Sequence, residues 1–157
     1  MIIISHRGNL EGPSESENSL KAIDDALCLG FDIEIDVWYK SEKLFLGHDK
    51  PQHLIDLKYL EERKDNLWIH CKDLESLFFF SRKDVQLEYF WHQTDKYTLT
   101  RNNFIWTYPN EMITTKSVAV LPSSVEEVLM HNPYGICTDH PFDVRKVLSK
   151  MQQGTNV

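Results

Sequence analysis

From Phe31 to Tyr39 apolar and polar residues alternate, with Ile33, Ile35 and Val37 interleaved with Asp32, Glu34 and Asp36. Successive side chains of a strand point to opposite faces, so this period predicts a strand with its carboxylates on one side. Glu34 and Asp36 then project together, close enough to share one cation. Shorter apolar or alternating runs predict further strands at Ile2–Ser5, Leu67–Lys72, Val85–Trp91, Tyr97–Thr100, Phe104–Tyr108, Ser117–Leu121 and Tyr134–Asp139. After a polar turn at Lys40–Lys43, Leu44–Gly47 returns as a short strand. Leu20, Ile23, Ala26 and Leu27 fall at helical spacing, which predicts a helix over Leu20–Leu29 capped by Asn18 or Ser19 and stopped at Gly30. Helices are also expected at Pro51–Asp65, Leu74–Arg82 and Pro141–Met151, with a short one opening at Ser123–Glu127.

Strands alternating with helices predict an α/β fold with a parallel sheet. The eight principal strands suggest a (β/α)8 barrel. Such barrels usually need about 250 residues and rarely fewer than about 200, whereas this chain has 157. The expectation is therefore a compact TIM-type barrel with several outer helices shortened or missing, chiefly between Trp91 and Leu121. One domain is expected over residues 1–151, with a disordered tail at 152–157. A barrel short of helices leaves apolar surface uncovered, so the aromatic run Phe78-Phe79-Phe80 predicts a contact in a homo-oligomer.

A formal net charge of −7 argues against nucleic acid or an anionic membrane surface as partner. No apolar run approaches the roughly 20 residues of a membrane span. The three cysteines, Cys28, Cys71 and Cys137, form no CxxC pair and sit among apolar residues. Together with the lack of a basic leader before Ile2, they predict a reducing, cytoplasmic setting.

The polar residues at the ends of the predicted strands carry the chemistry. His6 and Arg7 follow the first strand, Glu34 and Asp36 lie on the second, His48 follows Leu44–Gly47, His70 and Lys72 share a face two residues apart, and Asp139 closes the last strand. In a barrel that rim is where active sites form. Carboxylates, imidazoles and cations together suit phosphodiester cleavage. Positive charge neutralises phosphate oxygens, one histidine takes a proton from the nucleophile, and another gives one to the leaving oxygen.

His6-Arg7-Gly8, Glu17-Asn18-Ser19, Glu34-Ile35-Asp36-Val37, His48-Asp49 and the closing Gly135-Ile136-Cys137-Thr138-Asp139-His140-Pro141 resemble, in order and spacing, the glycerophosphodiester phosphodiesterase family. The resemblance is dense over residues 1–50, reappears at 67–72 and closes at 134–148. It implies a barrel and a divalent-metal phosphodiesterase acting on a small phosphodiester. By motif position His6 and His48 are its acid/base pair, Glu34 and Asp36 are metal ligands, and Arg7 and Lys72 hold phosphate oxygens. Glu17 and Asn18 cap the first helix and support the site, while Asp139 caps the last helix with Thr138. His53, His92, His131 and His140 carry no pattern and are expected in loops or at the surface.

Two departures from the family stand out. Its third strand carries glutamate, one residue, then lysine, where this chain has His70-Cys71-Lys72. With His70 as third ligand, the Mg or Ca that the resemblance implies gives way toward Mn, Fe or Zn, because imidazole suits those ions. The insertion that follows the family's His-Asp motif is also absent, which predicts a more open pocket. Two alternatives to hydrolysis accompany this reading. One is a non-catalytic phosphate-ligand-binding domain, and the other a phospholipase D-like enzyme that forms a cyclic phosphate.

Overall fold

The computed structural model describes residues 1–82 and 86–154, and for Gly154 its backbone alone. The chain begins with β1 (Ile2–His6), α1 (Leu20–Cys28), β2 (Asp32–Lys40), β3 (Lys43–Leu46) and β4 (His53–Ile55). It continues through α2 (Leu57–Glu61), β5 (Leu67–Cys71), α3 (Leu74–Arg82), β6 (Glu88–Trp91) and β7 (Tyr97–Leu99). It ends with β8 (Ile105–Thr107), β9 (Ser117–Val120), α4 (Val125–Leu129), β10 (Gly135–Thr138) and α5 (Pro141–Gly154).

These strands form one mixed, strongly curled sheet, which corrects the expectation of a (β/α)8 TIM-type barrel. Strands β6, β5, β2, β1, β10, β9 and β8 lie side by side in that order and run parallel. Strands β3, β4 and β7 are antiparallel to their neighbours. Among the described residues the ladder branches at β2 and ends at β4 and β6 on one side and at β7 on the other, so the curl is a half-barrel that does not close. The physical reason lies between Trp91 and Leu121. Where a closed barrel needs a parallel strand and a crossover helix, the chain makes the tight hairpin β7–β8 instead.

Two further segments depart from expectation. The predicted helix over Pro51–Asp65 is split, because His53–Ile55 pairs with β3 and leaves only α2, capped by the Asp56 carboxylate accepting from the Tyr59 N–H at 2.8 Å. At the other end α5 runs on through Gly154, past the Met151 expected as its last residue. Residues 155–157 of the predicted tail, and Val85 of the predicted strand Val85–Trp91, lie outside the described residues.

Alternation along β2 explains how the sheet is covered. Ile33, Ile35 and Val37 are fully buried on the convex face with Leu67, Ile69, Ile23, Ala26 and Phe80. Helices α1 and α3 pack there, and α5 packs on β1. Each fully buried residue of this size stabilises by roughly 1.5–3 kcal/mol relative to exposure. The concave face is filled at its amino-terminal end by Ile4, Trp68, Phe90, Trp106, Val118 and Cys137. Parallel register sets Glu34 beside His6 and Asp36 beside His70, so the polar residues line the concave face toward the strands' carboxyl ends.

The Phe78-Phe79-Phe80 run divides by helical phase. Phe80 is in the core, Phe79 stacks on Tyr39 at 4.6 Å, and Phe78 is 56% exposed. Only Phe78 of the three is therefore open to a partner. No helix among the described residues is long and apolar enough to cross a membrane.

Because Ile35 sits at the centre of the convex core, Ile35→Ala should lower unfolding free energy by about 2–5 kcal/mol, measured by urea denaturation. A loss under about 1 kcal/mol would show that this face is not the principal core.

Candidate active site

The turn after β1 sets the site. Arg7 adopts φ +56° and Gly8 φ +82°. A side chain at Gly8 would meet the backbone carbon of Ala22 at 2.9 Å, so α1 can approach only because this residue is glycine. The Arg7 N–H donates to the Glu34 carbonyl at 2.9 Å, and the Arg7 carbonyl accepts from the Asn18 N–H at 2.9 Å. Helix α1 is capped by Ser19, whose hydroxyl accepts from the Ala22 N–H at 3.2 Å. This leaves Asn18, also at positive φ, to serve Asp36. Its Nδ2 donates to Asp36 Oδ2 at 2.9 Å, and its Oδ1 accepts from the Asp36 N–H at 2.9 Å. Glu17 accepts from Arg7 Nη1 at 3.1 Å and from Asn9 Nδ2 at 2.8 Å. The predicted cap is thus Ser19 alone, and Glu17 and Asn18 brace the site.

Glu34 and Asp36 are both buried. Asp36 Oδ1 lies 3.0 Å from His70 Nδ1 and 3.2 Å from Lys72 Nζ, and Oδ2 lies 3.1 Å from Arg7 Nε. Burial works to raise its pKa, but His70, Lys72 and Arg7 outweigh it and hold the carboxyl well below the usual range. Glu34 is shifted the other way by burial and by the charge of Asp36, against the opposing effect of His6, His70 and Arg7. One carboxylate is thereby secured as an anion, and its neighbour is less fully compensated.

One ligand atom from each of Glu34, Asp36 and His70 lies within 4.8 Å of the others. His70 Nε2 is 2.7 Å from the His92 carbonyl oxygen, which can only accept, so this nitrogen carries the proton. Nδ1 faces Asp36 Oδ1 and Glu34 Oε1, 3.7 Å away; carrying a proton it pairs with Asp36, and without one it offers a lone pair to a cation held between them. Holding an imidazole by its far N–H is how metal-binding histidines are commonly oriented. Glu34 Oε2 and Asp36 Oδ1 are buried without a partner in hydrogen-bonding geometry. These unmatched oxygens and the set nitrogen fit a divalent cation.

His6 and His48 face the same cavity of about 370 Å³, with Arg7, Glu34, His70 and Lys72. His6 Nδ1 is 2.8 Å from Asp139 Oδ1, and its Nε2 is 3.9 Å from Glu34 Oε2. Burial lowers the His6 pKa, but Asp139 and Glu34 outweigh it and raise it above the ordinary value. Asp139 also accepts from Asn9 Nδ2 at 2.8 Å. It therefore braces His6 rather than the last helix, and the Thr138 hydroxyl accepts from the His140 N–H at 3.1 Å just before that helix. His48 stands at the mouth, with Nδ1 2.7 Å from Asp49 Oδ1. Gly47 (φ +144°) holds the chain there, and a side chain on it would meet the Lys50 carbonyl at 2.2 Å. Burial lowers the His48 pKa, and Arg7 and Lys72 add to this against Asp36.

All ten sequence-predicted site residues thus meet in one region. Sequence reasoning missed Asn9 and His92. Asn9 directly follows the His-Arg-Gly motif and ties Glu17 to Asp139, but nothing in its type announces this. His92 was expected in a loop or at the surface; it stands just after β6, half-buried, and lines the cavity. Its two-residue spacing from Phe90 was the available signal. Trp91, Trp106 and Tyr108 complete the opposite wall. Comparison with protein-family models, curated proteins and solved structures found no match.

Imidazole NMR should place the His6 pKa above 6.5 and that of His48 below it. Because the folded value of His6 is raised, its contribution to stability is complete below the unfolded pKa and lost as pH rises through the folded one. Asp139→Asn should bring the His6 value down, and an unchanged value would remove Asp139 as its support. Asn18→Ala should destabilise by about 1–3 kcal/mol, since two buried Asp36 groups lose their partners, as read by thermal or urea unfolding.

Proposed function

We propose that this chain is a metal-dependent phosphodiesterase that hydrolyses a small, glycerophosphodiester-like phosphodiester. The observation that carries the reading is the convergence, in one cavity, of a buried carboxylate pair and an oriented His70 with two histidines of opposite pKa shift and two cations. Arg7 and Lys72 attract and orient the phosphate. His48, at the solvent-facing mouth with its pKa lowered by burial, accepts the proton of the attacking water. His6, whose pKa Asp139 and Glu34 raise, delivers a proton to the leaving oxygen. Titratable groups pushed apart in this way are suited to base and acid roles. Glu34, Asp36 and His70 would hold a divalent cation, which supplies charge stabilisation at the phosphoryl oxygens when bound. The unpaired Cys28, Cys71 and Cys137 fit a cytoplasmic setting. The exposed Phe78 and Leu74 favour contact with a second copy, an expectation checked by light scattering.

A second reading, phosphate binding without chemistry, has one observation in its favour. Lys72 and His70 already flank Asp36 Oδ1 and can neutralise it without a metal. The two readings separate on a panel of glycerophosphodiesters and bis(p-nitrophenyl) phosphate assayed with Mg, Ca, Mn and Zn. The enzyme reading expects turnover, best with Mn or Zn, and a shift toward Mg or Ca in His70→Glu. His6→Ala and His48→Ala should each lower kcat by about a hundredfold or more. Turnover unchanged in both variants would rule out the histidine pair. Phosphate binding with no turnover under any metal would leave the binding reading.

A further inference from the structure

We infer that His92 is a third imidazole of this site and donates a hydrogen bond from Nε2 to a phosphoryl oxygen of the ligand. The inference rests on the phosphate-recognising cavity proposed above and extends it to a segment in which the sequence shows no motif. Strand β6 runs parallel to β5 with His70 beside Phe90 and Cys71 beside Trp91. The next step of that register sets His92 beside Lys72, on the same concave side, and both line the cavity. The ring is held from two directions. Its Nδ1 is 3.1 Å from the Thr98 hydroxyl on β7, and its face meets Tyr108 at 5.6 Å, just beyond β8. The hairpin that stands where a barrel would continue thus fixes this side chain.

The hydrogen bonding leaves one atom for the ligand. Nδ1 is engaged by Thr98, and Nε2 has no hydrogen bond among the described residues. Lys72 and Arg7 are each committed to Asp36, and Arg7 also to Glu17. His92 therefore differs from them as a cavity-lining donor with no carboxylate partner. With the Thr98 O–H donating to Nδ1, the neutral ring carries its proton on Nε2, the form that can donate to a phosphate. Trp91, Trp106 and Tyr108 line the same cavity beside it.

The test titrates inorganic phosphate by calorimetry, with Mg present, into the full chain and its variants, alongside assays with bis(p-nitrophenyl) phosphate. Hydrogen bonds to charged groups predict about tenfold or greater weakening of phosphate binding in His92→Ala, with partial rescue in His92→Gln. Thr98→Val should weaken binding less and should change the Nδ1/Nε2 tautomer signature in nitrogen NMR. That signature reports the Thr98 contact alone, whereas a purely structural role would leave the Nε2 resonance indifferent to phosphate. His131→Ala, outside this cavity, should bind as the native chain does. In the native chain, phosphate should shift the His92 Nε2 resonance.

Unchanged phosphate affinity in His92→Ala, or an Nε2 resonance that phosphate does not move, overturns the inference even if the diester is hydrolysed. No phosphate binding by the native chain overturns it as well. If phosphate binding depends on His92 but no diester is cleaved, the contact stands and the phosphodiesterase reading falls. His92→Ala that does not fold leaves the decision to His92→Gln, Thr98→Val and the native resonance.

Discussion

The burial of Glu34 and Asp36 on the concave face of β2 is the constraint to which the rest of this structure answers. A buried carboxylate is costly unless it is paired and hydrogen-bonded. Asp36 receives Asn18, Arg7, His70 and Lys72, drawn from the turn after β1, the entry to α1 and the end of β5. One charge thus ties together segments distant in sequence. Glu34, less fully matched, is where a further positive charge is most strongly favoured.

Meeting that demand bends the backbone out of its ordinary range. Arg7 and Asn18 both hold positive φ, a conformation that costs on the order of 1–3 kcal/mol in a non-glycine residue. The Asp36 hydrogen bonds and ion pairs offset it. Leu121, at the end of β9 and on the cavity wall, is also at positive φ. Positions of this kind cluster where a structure sacrifices local ease for the placement of side chains.

The open curl follows from the same economy of length. Hairpin β7–β8 replaces a full strand-and-helix unit, so the sheet keeps the parallel order around β1 and β2 without closing. What the hairpin brings instead is Thr98 and the route to Tyr108, the two supports of the His92 ring. Loss of closure and gain of a site wall are therefore one structural event.

The sequence by itself determined most of the strands and which side chains share a face at the candidate site. Alternation from Asp32 to Val37 is a local property of the backbone, and it placed the carboxylates on one face whatever the sheet became. The spacing of His70 and Lys72 worked in the same way. Helical spacing over Leu20–Leu29 was enough to place α1. Long-range geometry decided the rest. Closure depends on whether β6 and β8 meet, and periodicity within a strand says nothing about its neighbour across a gap. The segment His53–Ile55 became a strand because β3 offered an edge, although its residues suit a helix. Asp139 turned to His6 rather than to its own helix because β10 lies beside β1, at opposite ends of the chain. His92 joined the cavity for a related reason: its neighbour Lys72 and its partner Thr98 belong to other segments of the sheet, and only the folded sheet sets them beside it.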